Sequence, residues 1–458
     1  MGNPNKNSLP TCRLLQLQAQ VDRLYDAKED DFPHGGYRYR KSHEPSTPWE
    51  DFYAMVKAEV TDPTYPAAGF WMDTLCVPVQ KSDRPFRDMA IRNMAIVYGK
   101  ADRVLVVDSW IQKGSRTDHI TERSARIFMS NWQRRLWTLQ ERILAKQLYF
   151  QYRDGPQHRD DLIVDLRLDV HFGRGYYHSI ASFGVLGTVT LPDFPPGLEE
   201  RPSFSRFDTL AFSLGHRTTS RASDETVCLA SMMDLNTIPL QIISSEKVDE
   251  RMVCLLRMVG RFRQHRIFDA GPRCPLSGFG WAPSSFLNQT KSTSPADYGD
   301  DTFRFADLDT TGGLIVSYSG VLLGTAGHLL NLSCAILFPD DHTKGLFVML
   351  RRSEVGKEIA PWDRSMEFAL ISYKPLKKVL DTPKGQSIAI IGTLNRGAAF
   401  DGFQIKHVCR ATLISLDEEL MCTYRLYWKG KDVSIEEAGD AKIIEGKVVD
   451  ESQQWCVI

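Results

Sequence analysis

The sequence predicts an α/β fold in three parts: an α/β domain over residues 1–155, a mostly helical extension over residues 156–300 and a β-rich module over residues 303–458. In the first part, buried strand-like runs alternate with helical patterns, which is typical of a parallel sheet covered by helices. Helical periodicity dominates the second part. In the third part, short apolar runs follow one another with little helical pattern between them, which indicates an antiparallel module.

The first part contains three predicted strands and five predicted helices. The strands are the apolar runs GFWMDTLCV (69–77), RVLVVD (103–108) and QLYFQY (147–152). Because these runs are apolar on both faces, we expect residues 70–76 and 104–107 to be neighbours in a mostly parallel sheet. Helices are predicted where a capping residue precedes an apolar stripe. These starts lie near Ser8, Thr47, Asp83, Thr121 and Asn131.

The second and third parts are joined by residues 288–302, which are polar and rich in Ser, Thr and Asp. Such a composition is typical of a linker, so we expect the third part to be separable. The predicted strands that follow are the runs GLIVSYSGVLLG, CAILF, GLFVML, EFALISY, SIAIIG, RATLISL and TYRLYW.

Composition and charge limit the function classes. The 458 residues carry a net charge of −1, so no global field favours nucleic acid or an anionic membrane. No apolar run approaches the roughly 18 residues that span a bilayer, and the first residues lack a signal-peptide pattern. Nine scattered cysteines without a CxxC pair predict reduced, mostly buried thiols and a cytoplasmic location. The histidines lack metal-ligand spacing, so no metal is expected.

A carboxylate interrupts the first predicted strand. Asp73 lies in the run FWMDTLCVP, where a buried charge is costly unless it is paired or lies at the strand's carboxyl end. In parallel sheets that end is where ligands bind. The alternative is that Asp73 caps the turn that follows the strand. The sequence leaves both interpretations open.

The run NWQRRLWTLQE, residues 131–141, is predicted to belong to one amphipathic helix that continues to Leu144. At about 100° per residue, Trp132 and Leu136 lie on the stripe that faces the sheet, and Glu141 lies opposite that stripe. Trp137 and Glu141 define a second stripe, which we expect another surface to cover because an exposed Trp is costly. Glu141 then either lines a pocket or forms an ordinary salt bridge to a nearby Arg.

These blocks together resemble a known family. The order FWMDTLCVP, RDMAIRNMAIVYGKADRVLVVDS and SNWQRRLWTLQE is similar to the three-block signature of the fungal heterokaryon incompatibility (HET) domain. Two later segments, RTTSRASDETVCLA (217–230) and GWAPSS (280–285), resemble segments that follow this domain in fungal proteins. The resemblance covers roughly residues 1–290.

The resemblance implies a fold and a function. HET domains are regarded as distant relatives of Toll/interleukin-receptor (TIR) domains, so it implies a TIR-like, flavodoxin-type parallel sheet. The implied function is non-self recognition and programmed cell death signalling in a fungus, through protein partners or self-association. No nucleic-acid partner, membrane span or cofactor is expected.

The same resemblance implies an alternative, an NAD-cleaving hydrolase. Enzymatic TIR domains use a helical glutamate after a Trp or Cys, which corresponds to Glu141 as the catalytic residue. A fixed carboxylate stabilises the positive charge that develops on the sugar when nicotinamide leaves. Asp73, Arg134, Arg135 and Trp137 would then bind the substrate NAD, the arginines through its pyrophosphate.

One departure from the family pattern affects the implied activity. In similar proteins a strand and a Trp-containing segment precede the stretch MGNPNKNSLPTC, and here they do not. In a TIR-like sheet that first strand is central, so its loss leaves unpaired backbone. The sequence therefore predicts a misplaced start codon or a degenerate, inactive copy, which is the third hypothesis.

Overall fold

A computed structural model describes residues 71, 77, 83–171, 203–287, 304–326, 334–338, 344–350, 365–382, 385–395, 402–419 and 442–458. The chain divides into two units, Met1–Val97 and Tyr98–Ile458. The predicted strand at 69–77, with Asp73, and the predicted helices near Ser8 and Thr47 lie outside the described residues, apart from Trp71 and Val77. No described helix is long and apolar enough to cross a bilayer.

A three-stranded sheet follows the first described helix. Helix α1 spans Arg84–Lys100, as the pattern after Asp83 predicts. Strands β1 (Val104–Val106) and β2 (Leu148–Tyr152) are two of the three predicted strands, and they pair in parallel. Strand β3, Gly155–His158, returns antiparallel to β2 and was not predicted. The pairing of β1 with β2 agrees with the predicted parallel sheet. The predicted pairing of residues 70–76 with 104–107 lies outside the described residues, and the order of a complete TIR-like sheet stays a prediction.

Three helices connect β1 to β2 where the sequence predicted two. Helix α2 spans Ile120–Met129, α3 spans Asn131–Arg134 and α4 spans Thr138–Leu144. The prediction of one continuous helix from Asn131 to Leu144 is therefore wrong. The chain leaves the helical conformation at Arg135, whose ψ is 140°, because the backbone there bonds to a distant segment described below.

The predicted helical extension is confirmed as mostly helical. Its helices are α5 (Arg159–His171), α6 (Ser203–Leu214), α7 (Asp224–Met232), α8 (Ile238–Ile242) and α9 (Val248–Val259). Helix α9 ends at Gly260, whose φ of 74° is left-handed and therefore favours glycine. Strand β4 (Arg261–Arg263) and a 3₁₀ helix (Gln264–Phe268) follow. The helices bury a shared apolar core that includes Phe207, Leu210, Leu214, Leu229, Met252, Leu255 and Leu256.

The third part is β-rich, as predicted. Its strands are β5 (Phe305–Asp307), β6 (Leu314–Ser317), β7 (Gly320–Gly324), β8 (Cys334–Leu337), β9 (Gly345–Leu350), β10 (Phe368–Ser372), β11 (Gln386–Asn395), β12 (Phe403–Ser415), β13 (Lys442–Glu445), β14 (Lys447–Val449) and β15 (Gln454–Val457). A short helix, α10 (Leu376–Leu380), precedes β11. Six of the seven predicted runs lie in these strands, and TYRLYW lies outside the described residues.

Most of these strands form one sheet that closes on itself. Along its main path the order is β13-β8-β9-β12-β11-β10-β7-β14. Only Gly446 separates β13 from β14, so one segment pairs with both β8 and β7. A Cβ on Gly446 would lie 2.6 Å from both Ile336 Cγ2 and Val321 Cγ1, so the crossing requires glycine. The sheet is mainly antiparallel, as predicted, but β13–β8 and β12–β15 are parallel pairs.

The helical extension and the β-rich module contact each other across the predicted linker. Strand β4 pairs antiparallel with β5. The indole of Trp281 donates to the Gly312 carbonyl oxygen at 2.9 Å, and the Phe268 ring packs edge-on against Tyr318. The predicted domain boundaries stay predictions, and these contacts mean that a cut between 287 and 304 does not remove the interface.

Limited proteolysis tests this arrangement. We expect the first cuts within residues 288–302, because that segment is polar and rich in Ser, Thr and Asp, and we expect the fragments to stay together in native buffer. Size-exclusion chromatography of the nicked protein followed by denaturing gel electrophoresis measures both. First cuts within residues 313–324, or fragments that separate without denaturant, would contradict the expectation.

Candidate functional site

Four of the five predicted site residues lie at the turn between α3 and α4. Arg134 ends α3, Arg135 follows it, Trp137 immediately precedes α4, and Glu141 lies within α4. The fifth, Asp73, lies outside the described residues, so its place in the site stays a prediction. We call this turn, with the side chains that contact it, the α3–α4 junction.

The junction exists because a distant segment supplies its backbone partners. The amide of Leu136 donates to the Thr218 carbonyl oxygen at 2.9 Å, and the amide of Thr218 donates to the Arg134 carbonyl oxygen at 2.7 Å. These two bonds replace helical bonds at the break, so the polar backbone stays satisfied. Thr218 belongs to the segment RTTSRASDETVCLA, which resembles a segment that follows HET domains and has no other distinguishing pattern.

Glu141 is half-buried and held by two side chains. Its Oε2 accepts a hydrogen bond from Trp132 Nε1 at 2.7 Å, and its Oε1 accepts one from Tyr98 Oη at 3.3 Å. The prediction that Glu141 lies opposite the stripe of Trp132 is wrong. In a continuous helix residues nine apart point about 180° apart, but the break at Arg135 turns α4 back so that they meet.

Trp137 is half-buried and faces the helical extension. The extension is therefore the surface that covers the second stripe, which was expected to be covered. Its Nε1 donates to Asp224 Oδ2 at 2.9 Å, at the first residue of α7. Ser223, which precedes α7, makes no side-chain capping bond. The contact joins the first part of the chain to the second.

Replacing Trp137 tests how much this contact stabilises the fold. We expect Trp137→Ala to lower the free energy of unfolding by about 3 kcal/mol, the low end for Trp truncation, because the ring is only half-buried. Trp137→Phe keeps an aromatic ring but removes the indole N–H and part of the ring, and should cost about 1–2 kcal/mol. Denaturant melts measure both. Equal stability of Trp137→Phe and wild type would show that the bond to Asp224 does not stabilise the fold.

Arg134 and Arg135 have exposed side chains. Their backbone carbonyl oxygens do the bonding at the junction: that of Arg134 accepts from Thr218, and that of Arg135 accepts from Arg217 Nη1 at 2.6 Å. Their predicted role in holding a pyrophosphate stays a prediction. Arg134 and Arg135 lie close to Trp137 and Glu141 along the chain.

Two buried arginines at the junction were not predicted as site residues. Arg217 is 1% exposed, and its Nη1 also donates to Thr138 Oγ1 at 2.9 Å. Arg142 is 6% exposed, and its Nη1 lies 3.5 Å from Gln133 Oε1. Burial lowers the pKa of Arg217 to about 10, although Cys228 and Glu141 act to raise it. Burial, then the charges of Arg217 and Arg159, lowers the pKa of Arg142 well below its ordinary value.

Glu225, in the same segment as Arg217, is a buried carboxyl group. Its Oε2 accepts from Ser285 Oγ at 2.7 Å and its Oε1 from the Phe286 amide at 2.6 Å. Burial raises its pKa to about 7, against the hydrogen bonds, which lower it. Ser285 ends the segment GWAPSS, so this contact links the two later blocks of the resemblance.

The raised pKa of Glu225 predicts a pH dependence of stability. The folded chain favours the neutral acid, so this group's contribution is full below about pH 4.5 and is lost as the pH rises to about 7. Glu225→Gln keeps the shape without the charge. We expect it to remove this loss and to stabilise the protein by about 2–3 kcal/mol above neutral pH. Melts of both proteins across this range measure the effect, and parallel profiles would contradict it.

A cleft with a volume of about 510 Å³ lies beside the β2–β3 hairpin. It is lined by residues of β2 and β3, of the segments just before β2 and α2, and of α5: Arg116, Gln147, Tyr149, Pro156, Gln157, His158 and Asp161. The four predicted site residues that the structure describes do not line this cleft. In the described part of the chain no cluster of His, Cys, Asp and Glu could hold a metal ion.

The thiols agree with the sequence. The six cysteines that the structure describes form no disulfide, and five of them are buried: Cys228, Cys274, Cys334, Cys409 and Cys456. Burial raises the pKa of Cys228 and of the other buried thiols for which a shift is resolved, which favours the protonated thiol.

The fold and the site define a mixed α/β protein in which a helical extension completes the turn between α3 and α4. In comparisons with known proteins, no family model, curated protein sequence or solved structure matches the chain. The likeness to HET domains therefore rests on the sequence blocks, and the structure adds the contacts among those blocks.

Proposed function

We propose that the chain acts in heterokaryon incompatibility, as a HET-type module that recognises non-self and signals cell death through protein partners or self-association in the cytoplasm. The observation that carries the proposal is the mutual contact of the resembling blocks. Trp137 of the third block bonds to Asp224, and Arg217 bonds to the Arg135 carbonyl oxygen. Residues that contact one another across blocks act as one structural unit.

The contacts of Glu141 favour the interaction class over the enzyme class. Both carboxylate oxygens accept hydrogen bonds from ring side chains, Trp132 and Tyr98. A carboxylate engaged in this way positions α4, and the cleft of about 510 Å³ is lined by other residues. Cell death would then depend on surfaces that the junction holds in place and not on bond cleavage at Glu141.

The NAD-hydrolase alternative keeps one supporting observation. Glu141 is only half-buried, and the buried charge of Arg217 is close enough for Glu141 to raise the pKa of Arg217. A carboxylate beside a buried cation and an indole resembles a site that stabilises charge on a sugar. The third hypothesis, an inactive remnant, predicts neither hydrolysis nor cell death.

Glu141→Gln separates these hypotheses. The Gln oxygen can still accept from Trp132 Nε1, and its amide nitrogen can donate to the Tyr98 hydroxyl, so the main loss is the carboxylate charge. We expect a cost of about 1–2 kcal/mol, because bonds to a charged group become neutral ones. Assays therefore run below the melting range of the variant. Glu122→Gln, which breaks only the exposed pair with Arg126, is the matched control.

The readouts are nicotinamide release by purified protein and cell death on expression in a fungal host. Under the proposed function, we expect wild type not to cleave NAD. We also expect wild type, Glu122→Gln and Glu141→Gln all to cause cell death. The hydrolase alternative expects cleavage that Glu141→Gln reduces by about 10²–10³. Absence of cell death with wild type would contradict the proposed function.

A further inference from the structure

We propose that Arg142 and Arg217 form a binding site for a phosphate-type oxyanion at the α3–α4 junction. The site is independent of the proposed function, because it rests only on the burial, the unused donors and the arrangement of these two side chains. Their ligand is a tetrahedral oxyanion, either free phosphate or the phosphoryl group of a larger molecule.

The first observation is that buried donors are unused. The Nε and Nη2 of Arg217 and the Nη2 of Arg142 have no hydrogen-bond partner in the described part of the chain, although each atom is shielded from solvent. Buried polar groups are otherwise paired in folded proteins, because an unpaired donor pays the full cost of losing water. Three orphaned guanidinium donors at one junction therefore point to a ligand.

The second observation is that the two side chains approach the same face of α4. Arg217 Nη1 donates to Thr138 Oγ1, which places its guanidinium against the first turn of α4. Thr138 and Arg142 are four residues apart, so they lie one above the other on that helix face. Like charges held together without water repel each other, and an anion bound by both removes that repulsion.

The third observation is that the described residues supply no carboxylate partner. Among the described residues no Asp or Glu lies within ion-pair distance of Arg142 or Arg217, whereas the buried Arg266 has two such partners. Glu141 is the acidic neighbour that affects Arg217, and Trp132 and Tyr98 hold its carboxylate oxygens. Guanidinium groups match the geometry of phosphate oxygens, which makes a phosphate-type anion the fitting ligand.

Calorimetric titration with sodium phosphate tests the site, with chloride adjusted to keep the ionic strength constant. We expect saturable binding of one phosphate to the full chain and a higher melting temperature in phosphate than in chloride. A second titration, with ADP, distinguishes the sources. Tighter binding of ADP assigns the site to a nucleotide phosphoryl group, and weaker or equal binding assigns it to the free ion.

Two variants and one control make the test specific. Arg142→Met removes a buried charge and should fold at least as well as wild type in phosphate-free buffer. Arg217→Lys keeps one donor for the Arg135 carbonyl oxygen but lacks the orphaned nitrogens. Each should weaken phosphate binding by roughly ten- to a hundredfold, while Arg153→Gln, in the exposed turn between β2 and β3, should not. No saturable binding by wild type, or equal binding by Arg142→Met, overturns the proposal.

Discussion

Replacing Arg266 by Met is expected to lower the free energy of unfolding by about 3–5 kcal/mol, because two buried carboxylates lose a charge partner, although Asp208 keeps Arg263 at 2.8 Å. The Nη2 of Arg266 donates to Asp208 Oδ1 at 2.6 Å, and its Nη1 donates to Asp269 Oδ2 at 2.9 Å. The side chains of all three residues are at least nine-tenths buried. Burial alone lowers the pKa of Arg266, but Asp269 and Asp208 outweigh it, so the net pKa is raised.

An exposed ion pair of similar length provides the control. Lys247 Nζ lies 2.8 Å from Glu250 Oε1, and both side chains are about half exposed. Lys247→Met should therefore change stability by at most about 1 kcal/mol. Urea-induced unfolding measures both variants. If Arg266→Met and Lys247→Met cost the same, the buried network around Asp208 contributes no more to stability than an exposed ion pair.

Truncation of Trp281 to Ala is expected to cost about 3–5 kcal/mol, as for other fully buried Trp side chains. Trp281 is 1% exposed, packs on Phe262 with ring centroids 5.1 Å apart, and donates to the Gly312 carbonyl oxygen. It therefore stabilises the interface between the helical extension and the β-rich module. The loss should also make the fragments of the nicked protein separate in native buffer.

Trp110 is the matched control for this truncation. It is 44% exposed, and its ring contacts are with the cations of Lys113 and Arg126. Trp110→Ala should cost only about 0.5–1 kcal/mol, the range for an exposed cation–π contact. Comparable losses for Trp281→Ala and Trp110→Ala in thermal melts would mean that the interface adds little to stability.

Part of the fold follows from local sequence alone. The run RVLVVD predicts β1 and the run QLYFQY predicts β2, because a short, continuous apolar run suits a strand covered on both faces. Six β runs after residue 303 are confirmed for the same reason. The described cysteines are mostly buried and form no disulfide, which agrees with the sequence, since their number and spacing form no disulfide or metal pattern.

The candidate site was predicted less well, and the reason is the break at Arg135. The periodicity of residues 131–144 fits one helix, and nothing local in NWQRRLWTLQE marks an end. The break depends on Thr218, which is more than eighty residues away in the chain and pairs with the backbone at Arg134 and Leu136. The contact of Glu141 with Trp132 follows from that break, so it was not accessible to a periodicity argument.

The sequence by itself determined where apolar segments form strands and helices, because these preferences depend on neighbours within a few residues. The tertiary structure decided which segments meet. It closed the large sheet through Gly446, joined Trp137 to Asp224 and buried Arg142 and Arg217 at the α3–α4 junction. Each of these contacts pairs residues far apart in the chain, and only packing and hydrogen bonding in the folded chain select such partners.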